Sequence, residues 1–291
     1  MRASTFALFL SLLSAPALMV AATPVTPSSI PKPSRTLAHR SEDALLNPVD
    51  VTLKAVKVAP AQSMTNAQRL KRGLSPNRPN FYRSGTIDSA GGLAARASAV
   101  PGLNLGCVTR TGTLRISGTG IPTGTIVSRV PNEFGEYGVT TDAADALRVE
   151  YTDCGETDPV NLVTLNGIAD FTFLGGISGF ASNSPSLAAG SPNYAYLGGV
   201  NPTTPRSPPE SAANSFTFAT DRQEGVESAI WRVDAASGAV TANWVNADGG
   251  MPVTSIVYYG PEDFLLLSGD AAAFEKQYAA SSVVTVTFVP A

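Results

Sequence analysis

Glycine and proline break most of this chain beyond residue 104 into short runs of β-prone residues, and that rhythm leaves few folds open. The runs cover residues 113–117, 125–130, 146–151, 160–165, 170–174, 215–220, 228–233, 239–245, 254–259, 264–268 and 282–289. Several alternate apolar and polar residues with a period of two, the pattern of a strand with one face buried. No helix-length segments alternate with them, as a parallel sheet would need. The fold expected is therefore all-β, an antiparallel sandwich or barrel. One short helix is expected near the C-terminus, where Asp270 can cap a turn that places Phe274 and Tyr278 on one face.

The best-determined local unit is a hairpin over 229–245. With 235–238 as its loop, Val233 opposes Val240, Trp231 opposes Ala242, and Ala229 opposes Trp244. Both tryptophans then lie on the apolar face, and Arg232, Thr241 and Asn243 lie on the wet one. Gly238 suits the left-handed position that such a loop requires.

The N-terminal part reads differently. Arg2, an apolar stretch over 6–13 and small residues ending at Ala22 read as a secretory signal peptide, with cleavage before Thr23. That stretch is too short for a stable membrane span. Residues 23–72 form a Pro/Ser-rich, basic leader or propeptide, whose first part has no packed face to offer and is expected to be disordered. It ends in Arg69-Leu70-Lys71-Arg72, a pattern read by processing convertases of the secretory pathway. The alternative is an exposed helical turn with Thr65 and Gln68 as a capping box. Residues 73–103 form a linker and 104–291 a single β-rich domain. The leader holds 8 Lys/Arg against 3 Asp/Glu, a net +5, whereas residues 73–291 hold 11 against 20, a net −9. A basic leader can associate with such a body. The acidic body itself lacks the basic footprint that nucleic acid demands.

Met64-Thr65-Asn66-Ala67-Gln68-Arg69-Leu70, continuing through Arg72-Gly73-Leu74, resembles a leader motif of a family of secreted proteins of mushroom-forming fungi. Asn132-Glu133-Phe134-Gly135-Glu136-Tyr137-Gly138, Ile230-Trp231 and Trp244-Val245-Asn246-Ala247-Asp248-Gly249 are similar to the body of those proteins. The resemblance implies secretion and fold class. It assigns no catalytic or binding residue.

The chemistry open to the body is narrow. The single histidine, His39, lies in the leader, so histidine-activated nucleophiles and histidine-ligated zinc are excluded from the domain. Cys107 and Cys154 form an even count in an oxidising pathway and are expected to pair. No cofactor or metal is implied. The plentiful reactive groups are carboxylates: Glu133 and Glu136 around a glycine, Asp142 with Asp145, Asp221 with Glu224 and Glu227, Asp248, and Glu262-Asp263. Each is first of all a solvated loop residue. Asp88-Ser89-Ala90 lacks the glycine of an aspartic-peptidase motif, and no glutamic-peptidase motif surrounds Gln223 or Gln277. Tyr194, Tyr196, Tyr258 and Tyr259 are the candidate ligand-binding residues, with Tyr194 and Tyr196 expected to be exposed. The function expected is a secreted, extracellular or wall-associated structural or binding protein, with polysaccharide as the ligand. The alternative is an extracellular carboxylate-based hydrolase.

Overall fold

A computed structural model describes residues 45–60, 106–155 and 158–291, all within the compact unit Ser41–Ala291. The expected signal peptide ending at Ala22, the expected processing signal Lys71-Arg72 and the expected linker over 73–103 lie outside the described residues.

Thirteen strands make one antiparallel sheet: β1 (Val108–Gly118), β2 (Ile126–Pro131), β3 (Tyr137–Thr140), β4 (Arg148–Asp153), β5 (Leu162–Thr164), β6 (Phe173–Ser178), β7 (Tyr194–Val200), β8 (Val226–Glu227), β9 (Trp231–Val233), β10 (Ala239–Ala242), β11 (Ser255–Tyr259), β12 (Phe264–Ser268) and β13 (Ser281–Pro290). Eight of them close on themselves in the order β1-β4-β5-β6-β7-β12-β11-β13, because β13 pairs with β1 from Gly112↔Pro290 to Gly118↔Val284. The protein is thus a barrel. β2 and β3 extend from β1, β9 and β10 from β13, and β8 pairs with β6. No helix among the described residues is long and apolar enough to cross a membrane.

Two apolar clusters follow from the two-residue period of the strands. Leu197, Leu265, Leu267 and Ile256 belong to one, which also takes Leu114, Val149, Trp231 and Trp244. Their strand neighbours Tyr194, Tyr196, Leu266, Val257 and Tyr259 belong to the second, on the opposite face. Two helices contribute to that second cluster: α1 (Ser215–Thr220) through Phe216, and α2 (Ala271–Tyr278) through Phe274 and Tyr278. The strands beneath are buried on both faces, as the uniform burial of β6, β7 and β12 shows.

Helix α2 forms where expected, with the Asp270 carboxylate accepting from the backbone N–H groups of Ala272 and Ala273. Segment 215–220 is a correction, for it is helix α1 and not a strand. Asn214 accepts from the Thr217 N–H at 2.8 Å, and the Asp221 N–H donates to the Thr217 carbonyl from a left-handed conformation at φ 58°. Both ends of one short helix are capped, which offsets the β propensity of its Phe and Thr residues. Residues 45–60 of the leader, beyond the first part expected to be disordered, are packed on the barrel.

The β9–β10 hairpin has the expected register, with Val233 opposite Val240 and Trp231 opposite Ala242. Gly238 is left-handed at φ 72°. Trp231 is 1% exposed and donates its indole N–H to the Leu174 carbonyl at 2.6 Å, while Trp244 donates to the Pro185 carbonyl at 2.9 Å. Close approach of Trp244 requires Gly176, where a Cβ would lie 2.6 Å from the indole ring. Cys107 and Cys154 are joined in a disulfide beside the β1–β4 pairing of Val108 with Asp153.

Two expectations follow. Trp231→Ala removes a buried aromatic and leaves the Leu174 carbonyl without its donor, so denaturant unfolding should show a loss of about 3–5 kcal/mol. An unchanged midpoint would contradict this packing. Breaking the disulfide should cost about 4 kcal/mol on the chain-entropy model. Mass spectrometry of the unreduced, denatured protein should give a mass lower than the dithiol form by two hydrogens, and alkylation of both cysteines without reductant would refute the pairing.

Candidate functional site

The site is built around a buried carboxyl at the β2–β3 turn. After Pro131 ends β2, Asn132 folds the chain back: its Oδ1 accepts from the N–H groups of Phe134 (3.0 Å) and Glu136 (3.1 Å), and its own N–H donates to the Glu136 carbonyl at 2.8 Å. Gly135 is left-handed at φ 83°, and an added Cβ would meet Ser215 at 2.8 Å. Only glycine suits this position. Ser215, at the start of α1, donates to the Gly135 carbonyl at 2.6 Å and accepts from the Gly199 N–H of β7 at 3.0 Å. The turn is thereby latched to both the helix and the barrel.

This folding places Glu136 at 0% exposure. Its Oε2 accepts from the Asn132 side-chain amide at 2.7 Å and from the Asn47 side-chain amide at 3.2 Å. Asn47 Nδ2 also donates to Glu262 Oε2 at 2.8 Å, so two carboxyl groups converge on one amide of the leader. Asn132 Nδ2 reaches the Glu262 carbonyl at 3.4 Å. Burial pushes the Glu136 carboxyl up to about 8; the two amide donors oppose that shift and the charge of Glu262 adds to it.

One residue earlier, the leader presents a backbone carbonyl. Leu46 O accepts from the Tyr194 hydroxyl at 2.8 Å and from the Tyr196 hydroxyl, and these two hydroxyls lie 3.2 Å apart. They are oriented in turn by the N–H groups of Ala181 and Phe180, which donate to Tyr194 and Tyr196 respectively. Burial holds both phenols well above their ordinary pKa, so they are neutral O–H donors. The Leu46 side chain is fully buried in the second apolar cluster.

Further along, the leader is held as a strap. The Lys54 N–H donates to the Ala219 carbonyl at 2.9 Å, and Lys54 Nζ pairs with Asp221. The Ala169 N–H donates to the Lys57 carbonyl (2.8 Å), the Ala59 N–H to the Gly167 carbonyl (2.7 Å), and Arg129 to the Ala59 carbonyl (3.2 Å). Chemically, this clamp accommodates an extended peptide. Two hydroxyls take a carbonyl oxygen, an apolar recess takes a branched aliphatic side chain, and two carboxyl groups take a primary amide.

The expected exposure of Tyr194 and Tyr196 is corrected by this arrangement. Tyr194 and Tyr196 are buried, not exposed, and meet the leader through their hydroxyls rather than their ring faces. Tyr259 is buried in the second cluster, whereas Tyr258 packs against the first and donates to Asp263 at 3.1 Å. Adjacent strand residues face opposite ways, so Tyr258 and Tyr259 share no stacking surface.

Of the candidate carboxylates, Glu136 and Glu262 are brought together on Asn47, and most of the others bond elsewhere in the fold. Asp142 caps the turn Ala143–Asp145, Asp145 pairs with Arg129, and Asp248 accepts from the Gly250 N–H. Glu227 is buried, with both oxygens near the Val245 N–H at 3.1 Å, and burial pushes it up to about 8. Glu224 is half-buried and pushed up to about 7 by burial. Among the described residues, no group of three or more His, Cys, Asp or Glu is placed to hold a metal ion. Sequence reasoning missed Asn47, and its only signal was an apolar pair followed by Asn-Pro, Leu45-Leu46-Asn47-Pro48, inside a polar leader.

The chain matches no protein-family model, no curated protein and no solved structure.

Leu46→Ala tests the docking. A leader side chain outside the fold could be truncated freely, since surface changes stay within about 0.5 kcal/mol. Buried as it is, its truncation should destabilise the barrel by about 2–5 kcal/mol in denaturant unfolding. No change would detach the leader from the core.

Proposed function

We propose that this chain is a secreted, extracellular binding protein whose ligand cleft is filled, in the precursor, by its own leader. The observation that carries the reading is the clamp on Leu46-Asn47: a segment of the expected propeptide supplies a fully buried side chain, a doubly hydrogen-bonded carbonyl and an amide held by two carboxyl groups. A site that holds its own leader in this way is complementary to an extended peptide. The signal-like N-terminus, the disulfide and the resemblance to secreted fungal proteins support the location.

Polysaccharide was the expected ligand, on the strength of aromatic stacking. With Tyr194, Tyr196 and Tyr259 closed inside the second cluster, the reading moves to peptide. A convertase cut after Arg72 would separate the docked segment from the body covalently while leaving the contacts of residues 45–60 in place.

The second reading is a carboxylate-based hydrolase with the leader as its inhibitory segment. It is favoured by the convergence of Glu136 and Glu262 on Asn47 and by the raised affinity of Glu136 for its proton, the property of a general acid.

One experiment separates these. The purified precursor is cut with a dibasic-specific convertase and passed over a sizing column under native conditions. The leader fragment should co-elute with the barrel, and an excess of synthetic peptide covering residues 45–60 should displace it. A barrel that elutes free of the leader would overturn the proposal. Hydrolysis of a protein or polysaccharide by the displaced form, lost in Glu136→Gln, would assign the cleft to the second reading.

A further inference from the structure

Two buried atoms of the clamp lack partners: Glu136 Oε1 and Asn47 Oδ1. They belong to the two side chains already joined by the bond from Asn47 Nδ2 to Glu136 Oε2. An ionised carboxylate offers acceptors only, so both atoms would stay orphaned, at a cost of about 1–3 kcal/mol for each such group. A protonated carboxyl changes the inventory: Oε1 gains an O–H, and Asn47 Oδ1 is the acceptor left over on the neighbouring amide.

We infer that Glu136 and Asn47 form a cyclic acid–amide pair, in which Nδ2–H donates to Oε2 and Oε1–H donates to Oδ1, so that the clamp selects a primary carboxamide and holds it through one proton. This rests on the leader-filled cleft proposed above and names what that cleft reads. A carboxylate at the Asn47 position would face Glu136 and Glu262 together, and an alkyl group would leave Oε2 with one donor fewer.

Burial and the charge of Glu262 favour the protonated form of Glu136, against the amide donors Asn132 and Asn47. Glu262 approaches from the β11–β12 turn and shares the Asn47 amide. Tyr194 and Tyr196 approach from β7 as neutral phenols. Asp263, beside Glu262, accepts from the Val139 N–H and the Tyr258 hydroxyl, and Glu133 lies on the Glu136 turn. Desolvation by burial is what chiefly raises the Glu136 carboxyl.

The linkage has a definite sign. Docked, Glu136 keeps its proton to about 8; undocked and hydrated, it returns toward the ordinary 4.5. Docking therefore takes up a proton. It is strongest in acid, weakens as the pH rises from the lower value to the upper, and levels off beyond.

Hydrogen exchange on the intact chain tests this. The Lys54 and Ala59 amides donate to the body and report docking, while amides of β1 and β13 report global unfolding. In the wild type, the protection of Lys54 and Ala59 relative to the barrel amides should fall at least tenfold between about pH 5 and pH 8. In Glu136→Gln, whose amide pairs with Asn47 without a titrating proton, it should stay level. In Asn47→Asp it should be low at pH 8 and partly restored at pH 5. Wild-type protection that is level with pH, or an unaltered fall in Glu136→Gln, would overturn the acid–amide pair while leaving the leader in its cleft. Absence of protection at every pH would overturn the occupied cleft itself.

Discussion

Pairing of β1 with β13 is the contact on which the rest of the molecule depends. Once these strands join, eight strands have no free edge, and each residue along them faces either inward or outward. The inward residues make the first cluster. The outward residues of β6, β7, β11 and β12 are also large and apolar, so closure creates a second surface that water must leave. Helices α1 and α2 and the Leu46 side chain are what this second surface takes as cover. The site is therefore a consequence of closure, for a barrel with a polar outer face would have no recess for a leader.

The carboxyl groups fit the same account. Glu136 and Glu227 are buried at places where backbone or amide donors need an acceptor: Asn47 and Asn132 for the first, the Val245 N–H for the second. Each is raised by desolvation, and Glu136 joins segments far apart in sequence. The Glu136 turn ties the leader, the β11–β12 turn and α1 to one point, because Asn132 organises the turn and Ser215 locks it. Loss of a buried hydrogen-bonded acceptor leaves several donors orphaned at once, which makes such a node costly to vary.

What the sequence revealed depended on whether a segment has one wet face. The hairpin of Trp231 and Trp244 was legible down to its register, since Arg232 and Thr241 are exposed while the tryptophans are buried, and the alternation survives in the residue order. Phe264–Ser268 was found as a compact apolar run, and α2 was found from its Asp270 cap. β7 was not found. Buried on both faces and carrying Gly198-Gly199, it has no alternation and reads as a loop, so its tyrosines were placed outside. Segment 215–220 misled in the opposite direction, because capping by Asn214 and a left-handed Asp221 outweighed the composition of the residues between them. At the site, Glu136 was among the candidate carboxylates, but the partner that defines its role comes from position 47, and no spacing within the barrel points there.

Charge suggests that leader and body attract each other, but for residues 45–60 packing and hydrogen bonds outweigh the one exposed ion pair that these residues make with the body. Among the described residues, the ion pair between them is Lys54–Asp221, with side chains 51% and 69% exposed, and exposed pairs contribute only about 0–1 kcal/mol. Burying one leucine side chain contributes about 1.5–3 kcal/mol by itself. The backbone bonds of Lys54, Lys57 and Ala59 and the clamp on Leu46-Asn47 involve neutral donors and acceptors, apart from Glu262 and Arg129. Salt should therefore weaken the contacts of residues 45–60 only slightly, because screening acts on exposed charges and leaves packing and buried hydrogen bonds in place. The register of residues 45–60 on the body is set by one leucine, one asparagine and the pair of tyrosines that hold the Leu46 carbonyl.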